Sequence, residues 1–161
     1  MKNITLVALL FTTVLMFSSG CYSSSSETDD AIGHVTTEQI KSEFQTFGDN
    51  YQAFQLADED IERIAQWPES INVKVYFGTW CHDSQREIPK LFRIADASPN
   101  VNYSWVALDR TKSDPQSLAK LAGVKFTPTI VVYNNEQEIG RIIERPKVSL
   151  VDDLEQIILS I

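Results

Sequence analysis

The chain has few residues that could hold a metal, staple a fold or grip a polyanion. Only two cysteines, Cys21 and Cys81, and two histidines, His34 and His82, occur in its 161 residues. Cys81 and His82 are adjacent, and no second thiol completes a ligand set around them, so no metal site is read from the residues. Basic residues number 14 against 22 acidic, a net charge of -8. That balance argues against nucleic acid as a partner and against electrostatic adhesion to anionic lipid. The longest apolar run, Ile4 to Phe17, is shorter than the ~20 residues a spanning helix needs. There is no internal repeat and no residue set that implies a cofactor.

What is present begins with an export pattern. Lys2 supplies a short positive region, Ile4 to Phe17 an apolar one, and Ser18-Ser19-Gly20 a small-residue cleavage site, so residues 1–20 form a signal peptide. Gly20-Cys21 resembles the lipobox of bacterial lipoproteins, whose cysteine becomes lipid-modified and is the new N-terminus. Ser18 stands where that pattern usually has Leu. The alternative is ordinary cleavage that leaves a soluble periplasmic protein. Residues 21–33 are Ser-rich and acidic with almost nothing to bury, and form a flexible tether. Acylation of Cys21 would anchor the chain in the cell envelope, facing the periplasm. It would also leave the mature domain, residues 34–161, with one thiol and no structural disulfide.

The domain is organised around Val73 to Ser84, a buried strand that runs into a helix with Cys81 at the junction. A thiol there meets unpaired backbone N–H groups and the positive end of the helix dipole. Both favour the thiolate, the form that attacks disulfides. The pattern around it gives the remaining elements. Thr36 or Thr37 starts a short helix carrying Ile40 and Phe44. Phe47 to Leu56 is expected to be extended or irregular. Asp58 is expected to cap a helix with Ile61, Ile64 and Ala65 on its buried face, ending at Trp67-Pro68. Trp67 and Trp105 are assigned to packing, and Glu59, Asp60 and Glu62 to a solvated helix face.

Residues from Ile71 onward carry the sheet. After Cys81, Ile88, Leu91, Phe92 and Ala95 share a helix face, with Pro89 expected to kink it. Val101 to Leu108 is a second strand. Asp114-Pro115 starts a helix with Leu118, Leu121 and Ala122 buried and Gly123 at its end. Thr129 to Tyr133 and Ile139 to Ile143 form a hairpin through Asn134-Asn135. Ser149 caps a last helix whose stripe is Leu150, Leu154, Ile157, Ile158 and Ile161.

Four motifs in this order resemble a family. Trp80-Cys81-His82-Asp83-Ser84 is similar to the thioredoxin Trp-Cys-x-x-Cys site, with serine in place of the second cysteine. Pro89 matches the proline of that family's active-site helix. Ala122 to Thr129 resembles its cis-proline loop, with Pro128 as the cis residue, and Gly140 matches a glycine that follows its hairpin. The resemblance covers Ile71 to Ile161 and leaves 34–70 as an N-terminal extension. It implies an α/β, thioredoxin-like fold: a central mixed sheet, built from a parallel crossover part and an antiparallel hairpin, with helices on both faces. It also implies that Thr127 and Pro128 bind an extended substrate through backbone groups.

Two departures narrow the function. The family's buried acid, six residues before the nucleophile, is replaced by Val75. Ser84 cannot close the intramolecular disulfide that completes a dithiol cycle. The residues therefore imply a single nucleophile, Cys81, with Ser84 and the helix N-terminus stabilising its thiolate and with Trp80, His82 and Asp83 supporting. Its partners are then protein thiols or disulfides, with glutathione or a partner reductase releasing the mixed disulfide, and its reaction is isomerase-like or a partner-resolved reduction. The competing reading is a binding module that kept the groove around Trp80 and Pro128 and lost the redox cycle. A peroxidase is disfavoured, because the residues ahead of Cys81 lack the Thr-rich arrangement of peroxiredoxins.

Overall fold

A computed structural model describes residues 29–160. The expected signal peptide and Cys21 lie outside the described residues. Five strands form one mixed sheet in the order β1-β3-β2-β4-β5. The strands are β1 (Gly33–Val35), β2 (Ile71–Phe77), β3 (Asn102–Ala107), β4 (Thr129–Asn134) and β5 (Gln137–Ile143). The helices are α1 (Thr37–Glu43), α2 (Gln45–Ala53), α3 (Asp58–Ile64), α4 (His82–Ala97), α5 (Leu118–Leu121) and α6 (Leu150–Ile158). The pair β2 and β3 is parallel, joined by the α4 crossover, while β2–β4, β4–β5 and β1–β3 are antiparallel.

Strand β2 is central, and its residues pack on both faces. Val73, Val75 and Phe77 enter the larger core with Phe47, Ile88, Leu91, Phe92, Ile130 and Leu154, under α1 to α4 and α6. Tyr76 enters a smaller core with Val106, Leu108, Val131 and Ala119 of α5. A strand with apolar residues on both faces can only be satisfied between two layers. No described helix is long and apolar enough to cross a membrane.

The extension departs from the sequence expectation in three places. Gly33–Val35 is an edge strand paired with Trp105–Ala107, so the expected tether joins the fold before its forecast limit of residue 33. Asp30 and Ala31 are also tied down, through Arg110 and Thr79. The second difference is Phe47 to Leu56, which is helical as far as Ala53. Phe47 and Tyr51, one turn apart, face the core and its margin, and Gly48 lies against α1. A Cβ at Gly48 would meet the Lys41 carbonyl oxygen at 2.6 Å, so this glycine marks a close helix contact rather than an irregular segment. Third, Ala57 rather than Asp58 is the N-cap of α3, which places Asp58 in the first turn with its charge against the dipole. Ile61 is 43% exposed and Ala65 is exposed as well, so Ile64 alone carries the buried face of α3.

Elsewhere the pattern holds with two corrections, one in α5 and one in the hairpin, where Asn134 ends β4 and pairs with Gln137, so the turn is Asn135-Glu136 rather than Asn134-Asn135. Thr36 and Ser149 cap α1 and α6 by accepting the N–H of Gln39 and Asp152. Before α5, Asp114 accepts from the N–H groups of Gln116, Leu118 and Ala119, but Asp114-Pro115 does not start the helix: Ser117 is its N-cap, it is one turn long, and Leu121 is 81% exposed. Ala119, fully buried, takes the place assigned to it. Ile161 lies outside the described residues.

Candidate active site

The site forms where β2 ends. Phe77 closes the strand, and Gly78 to Cys81 turn tightly, the Cys81 N–H donating to the Gly78 carbonyl at 3.0 Å. The turn admits only glycine at position 78, because a Cβ there would lie 2.6–2.9 Å from atoms of the Trp80 ring. Three further bonds fix it. Trp80 Nε1 donates to the Leu108 carbonyl (3.0 Å), Gln85 Nε2 to the Thr79 carbonyl (2.8 Å), and the Gly78 N–H to Ser84 Oγ (3.2 Å).

Cys81 is the N-cap of α4, extended at φ -91, ψ 123, and no side chain caps the helix there. The first-turn N–H groups are therefore left facing the sulfur's end of the helix, where negative charge is favoured. The thiol is free and half-buried. Its Sγ donates to the Thr127 carbonyl at 3.2 Å. Thr127 precedes a cis peptide bond to Pro128, and both residues are buried. The Pro128 carbonyl accepts the Glu144 N–H at 2.7 Å.

The structure thus brings together Trp80, Cys81, Ser84, Thr127 and Pro128. Ser84, fully buried, bonds Gly78 rather than donating to the sulfur, which corrects the direct contact expected from its spacing. Thr127 also differs from expectation, since the thiol occupies its carbonyl while its N–H has no partner among the described residues. His82 is exposed at the first helical position. Asp83 is drawn aside into an ion pair with Arg86 at 2.7 Å. Val75 is fully buried in the core, so no carboxylate stands at that point beneath the site. No described group of three or more His, Cys, Asp or Glu side chains is placed to hold a metal.

A support on the N-terminal side escaped the sequence reading. Ala31 N–H donates to Thr79 Oγ1 (3.3 Å), which donates to Asp30 Oδ1 (3.4 Å), and Arg110 Nε donates to Asp30 Oδ2 (2.9 Å). The Arg110 guanidinium stands 6.0 Å from the centre of the Trp80 ring. On the other side, Asn50 Nδ2 donates to the Gln85 carbonyl at 2.8 Å. Pro89 lacks the N–H that would bond that carbonyl, so α2 of the extension satisfies the group that the helix proline orphans.

No curated protein matches the chain. Among solved structures, a protein of unknown function from Pseudomonas aeruginosa is 20% identical at a TM-score of 0.51, covering 78% of this chain and 75% of its own. Mitochondrial thioredoxin 3 from Saccharomyces cerevisiae, in oxidised form, is 26% identical at 0.44, covering 70% and 99%. Fasciola hepatica thioredoxin is 21% identical at 0.46, covering 62% and 88%. The thioredoxin family model matches residues 33–153, well over half of the chain. The chain belongs to the thioredoxin family.

Proposed function

We propose that the protein is an exported thiol-disulfide exchange protein acting through Cys81 alone. The observation that supports this best is the thiol at an uncapped helix N-terminus, 3.2 Å from the carbonyl that precedes cis-Pro128. In the first step the Cys81 thiolate attacks a substrate disulfide, forming a Cys81–substrate bond and expelling the second substrate sulfur as thiolate. The S–H to Thr127 bond is then gone. The Thr127 carbonyl and N–H are both left to pair with extended substrate backbone, as in strand addition. In the second step a substrate thiol attacks the mixed disulfide, which is isomerisation, or an external thiol or partner reductase does so, which is net reduction. Ser84 takes no covalent part. The fully buried hydroxyl, holding the Gly78 N–H, fixes the turn from which Cys81 projects.

Export rests on the sequence pattern of residues 1–20, and lipid anchoring on Gly20-Cys21. In this reading the domain faces the periplasm of a bacterial cell envelope, held off the membrane by the Ser-rich segment. If Cys21 is not acylated, it is soluble there.

A scrambled disulfide protein offered to the full chain carrying Cys21→Ser tests the reading, with glutathione buffer as the redox couple. Reactivation above the buffer background is expected, and Cys81→Ala should remove it while unfolded-chain binding persists. If Cys81→Ala retained the reactivation, the exchange reading would fail. A wild type that binds the substrate but never reactivates it would favour the non-redox binding module.

A further inference from the structure

Between α2 and α4 lies a groove of about 410 Å³, a size that small-molecule sites commonly have. Thr46, Asn50 and Phe54 line one wall, and His82, Arg86 and Lys90 of α4 the other. His82, which directly follows the nucleophile in the chain, is part of its lining. The charged groups in its lining, Arg86 and Lys90, are both cationic, in a chain whose net charge is -8. Asp83 holds Arg86 Nη1 (2.7 Å), and Glu87 holds Arg86 Nε (2.6 Å) and Lys90 Nζ (3.2 Å). Arg86 Nη2 and two of the three Lys90 donors have no partner among the described residues. Their side chains are 46% and 34% exposed.

We propose that this groove seats an anionic low-molecular-weight thiol of the glutathione class, which resolves the mixed disulfide on Cys81. The proposal rests on the exchange reading above and names its resolving partner. The groove is made by the N-terminal extension packing on α4, and neither Cys81 nor Thr127 is part of its lining, whereas His82, the residue after the nucleophile, is. The bound thiolate attacks the Cys81 sulfur, expels the substrate thiolate and forms a Cys81–small-thiol disulfide. A second molecule attacks the small-thiol sulfur of that bond, forming the small-molecule disulfide and returning the Cys81 thiolate. In sum, one protein disulfide and two small thiols give two protein thiols and one small disulfide, the protons passing from the small thiols to the protein thiols.

The test uses the full chain carrying Cys21→Ser, with Cys81 converted to its 2-thiopyridyl disulfide. Release of thiopyridone is followed with glutathione, neutral 2-mercaptoethanol and cationic cysteamine. Thr46→Glu adds a carboxylate to the groove. The position is exposed and in the first turn of α2, where an acid suits the helix dipole, so the fold is preserved. The expected result is that the glutathione rate divided by the 2-mercaptoethanol rate falls about threefold, the effect of a unit charge roughly 6 Å away in a water-like medium. The cysteamine ratio should rise by a similar factor. Ratios that do not move would overturn the groove as the seat, even if all three thiols react. If no thiol releases thiopyridone from the wild-type adduct, Cys81 does not exchange and the functional reading falls with the proposal.

Discussion

Ser84 determines what Cys81 can do unaided. A thiol at position 84 could attack a mixed disulfide on Cys81 from within the same helix turn, and a hydroxyl cannot. Ser84→Cys should therefore make release of a bound substrate independent of external thiol. With Cys21→Ser in the background, the wild-type adduct should persist until a thiol is added, whereas the Ser84→Cys adduct should clear spontaneously and leave an intramolecular disulfide between positions 81 and 84, visible by mass. Persistence in the variant would mean that the two sulfurs cannot meet. The positions of Cys81, Ser84, Thr127 and Pro128 were legible in the sequence because strand, cysteine and proline loop follow each other in a fixed order. Their partners were less so. Asp30 and Arg110 lie 80 residues apart, and Ala31 and Thr79 lie 48 apart, separations at which no local pattern carries information.

Among the elements, the contact of α2 with α4 shows how far local patterns reach. Gly48 and scattered aromatics in Phe47 to Leu56 suggested irregular chain, but tertiary packing overrides helix propensity: the glycine admits α1, and Phe47 fills the core. The one-turn α5 is a similar case: Asp114 does accept from the Leu118 N–H, but Ser117, in the left-handed region, is the N-cap, so the helix starts at Leu118 rather than at Pro115. The Asn50 bond to the Gln85 carbonyl gives a quantitative expectation. Asn50→Ala should cost about 1 kcal/mol in urea unfolding, the worth of a typical hydrogen bond. In a Pro89→Ala background the restored N–H can serve the same carbonyl, so the Asn50→Ala cost should shrink. Equal costs in both backgrounds would show that the two residues act independently.

For the molecule as a whole, the acidic composition is held by a few organised ion pairs. Arg63 of α3 bonds Asp60 of its own helix and Asp152 and Glu155 of α6, joining the extension to the last helix. Hydrogen bonding from Ser149, and then from Arg63, lowers the pKa of Asp152 below its ordinary 3.8. The unfolded chain binds this proton more readily than the fold does. The stabilisation is thus complete above 3.8 and is lost as the pH falls through the lower folded value. Urea midpoints measured from about pH 6 to about pH 3 should drop on the acid side, and Asp152→Asn should flatten part of that drop. An unchanged acid limb would show that Asp152 does not couple folding to proton binding in this range. The mixed sheet with helices on both faces was legible at this scale, because buried and alternating strands separated by capped helices admit few arrangements; edge strand β1 was not, being three residues long.

Exchange through a single thiol requires that the fold activate Cys81. The most direct test is the second-order rate of mixed-disulfide formation between Cys81 and dithiodipyridine at neutral pH. The rate would be measured on the full chain carrying Cys21→Ser, folded and then unfolded in guanidinium. Placement at the uncapped start of α4 predicts a folded rate about tenfold or more above the unfolded one. A folded rate equal to or below the unfolded rate would contradict it.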